Sequence, residues 1–318
     1  MLEQNPFFET STLPYEAPRF DVITDQHYRP AFDEAVRRKR QEVAAIAANP
    51  HAPTFENTCL ALEKSGGMLG RVSSTFFAMT SAHTNDYLQK LDEEFSAELA
   101  ELADDIHLNA HLFSRLDAVY QQRHELGLDA ESRRLLEVVW QQFMLAGATL
   151  GEEQKTQLKA LNKEAAQLTS QFNNRLLAAT KAGGLIVDDA QALTGLSEAE
   201  ILAAREAAKE KGLEDKWLIP LLNTTQQPAL QSLANRATRE ALFKAGWSRS
   251  EKNDANDTRA IVSRLAELRA AQAQLLGFDD FASWKIADQM AKTPEAALRF
   301  MRGIVPAATA RARQELAD

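Results

Sequence analysis

The sequence predicts an all-α fold: a multi-helix lobe with a minor two-stranded β-insert. Three observations predict it. Apolar residues recur at spacings of three and four along most of the chain, as in Leu88, Leu91, Phe95, Leu99 and Leu102. Cap residues, glycines and prolines punctuate that pattern at intervals expected of globular helices. Only the stretch between Leu185 and Ile219 has a different texture, with two short β-prone runs flanked by turn residues.

Taken in order, a proline-marked irregular lead-in (Pro6, Pro14, Pro18) precedes a helix from about Gln26 to Ala48, which stops before Asn49-Pro50. A second helix starts after Pro53-Thr54 and runs to about Ser81, with Gly66-Gly67 as its weak point. Asn85 or Asp86 starts a third. A fourth covers about Ala110 to Glu125 and ends at Gly127. Asp129 caps a fifth, which continues to about Ala146. The longest helix runs from Glu152 to about Thr180, where Leu158, Leu161, Ala165, Leu168, Phe172 and Leu176 form a narrow seam suited to bundle packing. Gly183-Gly184 breaks it. Leu185-Ile186-Val187 and Trp217-Leu218-Ile219 form the β-element, and Ser197 to Glu200 is a capping box for a helix ending at Gly212. Helices resume at Pro228, at about Asp257 and near Asp280. The last begins at Thr293-Pro294-Glu295 and is expected to kink or restart at Pro306. As a domain organisation this predicts one helical lobe over 1–318, with a helical array over about 1–180, the β-containing insert over 181–227 and further helices over 228–318. The chain runs to Asp318 without a glycine cap, a polar tail or a trailing proline, so that end reads as a cut.

Bulk properties exclude several function classes. Hydrophobic residues make up 45% and charged residues 25%, the balance of a globular chain rather than a disordered one. A formal charge of −9 gives no general footprint for nucleic acid. The basic run Arg37-Arg38-Lys39-Arg40 lies within a helical pattern and reads as a solvated face. No apolar run approaches the roughly 18 residues that span a bilayer, so no membrane partner is expected. Cys59 is the sole cysteine and sits in an apolar run, which excludes an internal disulfide and fits a small core residue. The start, Met1 to Pro6, has neither a basic n-region nor an apolar h-region. The expected compartment is the cytoplasm.

No catalytic, cofactor-binding or metal-binding residue is assigned from the residues themselves. Of six histidines, His107 and His111 alone have the i, i+4 spacing that a helical metal site needs. Leu108, not glutamate, follows the first, so no general base accompanies them, and cap or surface histidines at a helix junction are the preferred reading. Gly66 to Gly70 is glycine-rich but has neither a following lysine nor a preceding strand. The carboxylates Glu93-Glu94 and Asp104-Asp105 read as helix-surface groups, with nothing to single out an acid–base pair.

Several stretches, in order, resemble one family. Asn5-Pro6-Phe7-Phe8, Leu13-Pro14-Tyr15, Phe20 to Ile23 and His27 to Phe32 are similar to the opening of the thimet-oligopeptidase-like zinc peptidases. So are Pro53 to Thr58, Ala61 to Gly66, Phe143 to Ala148, Leu161 to Glu164 and Gln171-Phe172-Asn173. Lys216 to Leu230, Glu251 to Arg259 and Lys285 to Pro294 look like the bacterial peptidyl-dipeptidase branch. The resemblance implies a protein about twice this length, almost entirely helical, with two lobes flanking a channel that admits oligopeptides. It implies zinc, held by an H-E-x-x-H helix and a downstream glutamate that lie beyond this chain, so none of those roles transfers to a residue here. On this reading the chain supplies one channel wall, partners the missing C-terminal catalytic half, and is inactive alone. The alternatives are an endo-acting oligopeptidase of the same family and a non-catalytic helical peptide-binding protein on the same scaffold.

Overall fold

The computed structural model describes residues 5–317. The readings that fall on Met1 to Gln4 and on Asp318 lie outside the described residues. Helices account for nearly all regular structure: α1 (Asp25–Ala47), α2 (Ala61–Lys64), α3 (Gly67–Ala82), α4 (Asp86–His107), α5 (Ala110–Gln121), α6 (Ala130–Leu145), α7 (Glu152–Ala182), α8 (Glu198–Glu210), α9 (Asn223–Ser232), α10 (Arg236–Trp247), α11 (Arg259–Leu275), α12 (Phe281–Ile286) and α13 (Pro294–Ala317). β1 (Leu185–Val187) and β2 (Trp217–Ile219) pair antiparallel, Leu185 opposite Ile219 and Val187 opposite Trp217. The chain is all-α with a minor two-stranded insert.

Local chemistry accounts for the boundaries. The side chains of Asn85, Asn109, Asp129 and Asp280 each accept a bond from the backbone N–H three residues on, satisfying donors that a helix start leaves free. Ser197 and Glu200 close the expected capping box, with Glu200 N–H to Ser197 Oγ at 3.3 Å and Ser197 N–H to Glu200 Oε2 at 2.7 Å. At α1 the box is made by His27, whose Nδ1 accepts the Thr24 N–H at 3.0 Å. The break between α2 and α3 falls at Ser65-Gly66, one residue before the expected weak point at Gly66-Gly67.

Two prolines lie inside helices. Pro228 does not start a helix but lies inside α9, which begins at Asn223. Pro306 neither ends nor restarts α13, which runs through it. Each proline removes one intrahelical donor and its ring crowds the carbonyl four residues back; where that carbonyl is exposed, water satisfies it. Pro306 and the residue four before it, Arg302, are both exposed, and so are Pro228 and Thr224.

The chain divides into two compact units, Met1–Gln167 with Glu267–Asp318, and Leu168–Ala266. In the first unit, α1, α3 and α4 bury Tyr28, Phe32, Phe76, Leu88, Leu91 and Phe95 in an aromatic-rich cluster. Farther along α1, Val43 and Ile46 join Cys59, Leu112, Leu116, Leu136 and Phe143 in a second. Cys59 is wholly buried there, and burial pushes its thiol up to about 12, so it packs as a small apolar residue. A buried Arg115 ties the segment before α2 to α5, donating to the carbonyls of Asn49 (2.8 Å) and His51 (3.0 Å) and to Asn57 Oδ1 (3.0 Å). The second unit encloses Leu193, Ile219, Leu221, Leu233 and Leu242.

The seam expected along α7 is only half-buried. Leu158 is fully covered, but Lys155 and Ser170 are more buried than Leu161, Leu168 or Phe172. On α13 no residue is buried, and Leu298, Met301, Ile304 and Val305 present an exposed apolar face. Among the described residues no helix is long and apolar enough to cross a membrane.

Candidate functional site

His107 and His111 do not share a helix face. The helical pattern stops between them: His107 ends α4, Leu108 follows as its cap, and Asn109 caps α5, which carries His111. The i, i+4 rule presumes an unbroken helix, and the Asn109 side chain, bonded to Leu112 N–H at 3.0 Å, starts a new one. Helix-junction histidines were the preferred reading, and His107 is one.

His107 nevertheless sits in a chemically dense place. Its Nδ1 lies 2.8 Å from the Ala103 carbonyl, an acceptor only, so Nδ1 carries the hydrogen and Nε2 is left as an acceptor. The ring packs 4.8 Å from that of Phe143. Burial lowers its pKa first, the Ala103 bond opposes that, and the Lys39 charge lowers it further. A neutral imidazole results. It lines a cavity of about 310 Å³ together with Lys39, Glu63 and Gln142. Lys39 donates to the Ser65 carbonyl at 3.1 Å and to Ser65 Oγ, and its burial lowers its pKa against the raising effect of Glu42 and Glu63.

The basic run is accounted for residue by residue. Arg37 and Arg38 both bond Glu34 at 2.7 Å, and Arg40 pairs with Asp105 at 2.7 Å. At the glycine-rich turn, the Gly66 N–H that a phosphate cradle would offer donates to Glu42 Oε2 at 2.6 Å. A carboxylate of the chain already occupies that position.

Of the carboxylates read as surface groups, Glu94 behaves so, half-exposed beside Arg29. Asp104 does not: it is 8% exposed, accepts from Asn162 Nδ2 at 2.7 Å, and burial pushes its pKa up to about 6. Asn162 Oδ1 in turn accepts from Gln272 Nε2 at 2.6 Å, so one polar chain joins α4, α7 and α11 within the first unit. Sequence periodicity missed this because both members of Asp104-Asp105 look alike in one dimension. Only packing shows that Asp105 turns to Arg40 and Lys159 while Asp104 turns inward.

The raised value has a signed consequence. The folded state holds the Asp104 proton between its ordinary carboxylate range and about pH 6, so stability falls as pH rises through that window. Asp104→Asn keeps the bond to Asn162 and removes the buried charge. It is expected to stabilise the chain by about 1 kcal/mol at pH 7.5, after allowing for solvent screening, with the gain vanishing toward pH 4. Paired urea titrations of both proteins at the two pH values check this; an equal gain at both would remove the titration from the account.

Among the described residues, no three histidine, cysteine or acidic side chains converge as a metal ligand set. The zinc that the resemblance implies therefore finds no fitting ligand set among the described residues. What the fold and its polar groups define is a helical scaffold, an all-α lobe with a small β-insert.

Comparison with known proteins places that lobe. Residues 229–318 match the model of peptidase family M3, and the whole chain is similar to curated dipeptidyl carboxypeptidases. It is 68% identical to the dipeptidyl carboxypeptidase of Escherichia coli (strain K12), over all of this chain and 47% of that protein. It is 65% identical to the dipeptidyl carboxypeptidase of Salmonella typhimurium, again over all of this chain and 47% of the relative. With oligopeptidase A of Escherichia coli it shares 26% identity, over 96% of this chain and 45% of that protein. The chain thus spans about half the length of the curated relatives it matches.

Proposed function

We propose that this chain is the amino-terminal half of a zinc-dependent M3 peptidase that releases dipeptides from the C-terminal end of oligopeptides. In that reading it forms one wall of the substrate channel, in the cytoplasm, and hydrolyses nothing alone. The observation that carries the proposal is the contrast in identity: 68% to a dipeptidyl carboxypeptidase against 26% to oligopeptidase A, each over nearly the whole chain. The uncovered apolar face of α13 supports the inactive-half reading, because a contiguous apolar stripe is a surface that another segment covers. Metal ligands and general base belong, on this proposal, to the part of the relatives that this chain does not span.

The test has two arms. The full-length protein should release the C-terminal dipeptide from an N-acetylated hexapeptide with a free C-terminus and leave the C-terminally amidated peptide uncut. Internal cleavage of the amidated peptide would replace the proposal with an endo-acting oligopeptidase. The 318-residue chain alone should give no product and retain no stoichiometric zinc after dialysis. Turnover by the chain alone, abolished by His107→Ala with His111→Ala, would reverse the assignment.

A further inference from the structure

The second unit holds a cavity of about 800 Å³, lined by residues of α7, α10, α11 and the 248–258 loop, and within the size range of small-ligand sites. None of the roles derived above uses it. Its charged and polar walls are unequal in a way that points to a ligand.

Arg259 is neutralised: its guanidinium meets Asp257 at 2.6 Å and Asn253 Oδ1 at 2.6 Å, which also pins the loop. Arg249 is not. Its Nε donates to the Gly246 carbonyl at 3.0 Å and its Nη1 to Thr180 Oγ1 at 3.2 Å, two neutral acceptors. Among the described residues no carboxylate lies within ion-pair distance of it, and the remaining fork of N–H donors is unassigned. Ser250, next in the chain, is 8% exposed, and its Oγ is buried without a hydrogen-bond partner. A buried hydroxyl left unpaired is uncommon in a folded protein, and this one lies beneath the cavity wall, out of reach of solvent. Thr258, Arg259 and Val262, at and just before the start of α11, line the same cavity, and the Asp257 carboxylate already accepts the Arg259 N–H there at 3.0 Å. Glu251 is the carboxylate among the lining residues, and its field falls on Arg259.

The rim is apolar. Trp247 is 75% exposed and stacks on Phe243, with ring centroids 5.5 Å apart, and Val262 is 53% exposed. A planar cation fork beside an exposed aromatic pair is complementary to a carboxylate borne on an apolar or aromatic residue.

We propose that Arg249 and Trp247 form an anchoring site for a carboxylate of an oligopeptide, with the flanking apolar side chain laid on the Trp247–Phe243 face. The proposal rests on the peptide-handling function above and deepens it: it assigns substrate contacts to this half of the protein. The carboxylate has two sources, the peptide C-terminus and an acidic side chain.

Binding by the 318-residue chain is read without turnover, so its result is independent of the hydrolysis assay. Fluorescein-labelled hexapeptides ending in phenylalanine are titrated by anisotropy in three forms: free acid, amide, and amide with one internal glutamate. The free acid should bind at least tenfold more tightly than the plain amide, and Arg249→Gln should abolish that difference. Lys252→Gln, an equal charge change at an exposed neighbouring position, should not. Arg249→Lys, which keeps the charge but loses the fork, should fall between, and serves if the glutamine variant does not fold. Trp247→Ala should weaken all three peptides. An internal glutamate that restores full affinity assigns the site to side-chain carboxylates; one that does not assigns it to the C-terminus. Equal binding of free acid and plain amide, or no effect of either Arg249 variant, would overturn the proposal.

Discussion

Gly195→Ala should cost the second unit about 4 kcal/mol, combining backbone strain with forced displacement of packed atoms. Gly195 has φ +104, a conformation L side chains rarely adopt. A Cβ there would lie 2.2 Å from the Ser232 carbonyl oxygen and 2.7 Å from the Ala234 nitrogen. Both are backbone atoms, which cannot swing aside as a side chain would. The crowding falls on the 2.8 Å bond from Ala234 N–H to the Thr194 carbonyl, between the buried Leu193 and Leu233. Gly212→Ala is the control: φ is +72, but a Cβ would meet nothing within 4 Å. It should cost only about 1 kcal/mol, from backbone strain alone. Hydrogen exchange followed by mass spectrometry should show lost protection over 185–250 in the first variant and little change in the second. Equal effects would mean that strain, not contact, governs Gly195.

Phe95→Ala should destabilise the first unit by about 3–5 kcal/mol, the range for emptying a buried aromatic site. Phe95 is wholly buried, stacks on Phe32 with centroids 3.8 Å apart and planes 5° apart, and contacts the Phe76 ring at 4.7 Å. Arg29 lies over the same ring at 5.3 Å while pairing with Glu98 at 2.7 Å, so removing the ring also loosens a charged contact between α1 and α4. Leu99, one turn on and only partly buried, gives the comparison. Leu99→Ala should cost about half as much or less, since less apolar area leaves water. Urea midpoints at constant slope measure both. A Phe95→Ala cost below that of Leu99→Ala would mean that this cluster is not the centre of the unit's core.

Most boundaries were legible because their causes are local. A cap residue bonds a backbone N–H three positions on, as Asn85, Asp129 and Ser197 do, and the few residues involved carry all the information. The β-insert was legible for the same reason: β-branched and aromatic residues after Gly183-Gly184 at Leu185 and before a proline at Ile219. The proline at 228 misled because whether a helix tolerates an interior proline depends partly on solvent reaching the freed carbonyl, which no local window contains. The α7 seam was legible as a pattern, but not its coverage, since periodicity gives the direction of a face and not what meets it.

Chemistry divided the same way. That Cys59 packs as an apolar residue followed from its neighbours in the sequence. Tertiary structure alone decided that Asp104 is buried while Asp105 meets two cations, that Arg115 holds Asn49, His51 and Asn57, all far from it in sequence, and that Arg249 lacks a carboxylate while Arg259 has one. By itself, the sequence determined helix starts, strand positions and family, all of them encoded in short ordered strings. Pairing, burial and the shift of a carboxyl toward neutrality depend on distances between residues tens of positions apart, and those distances exist only once the chain has folded.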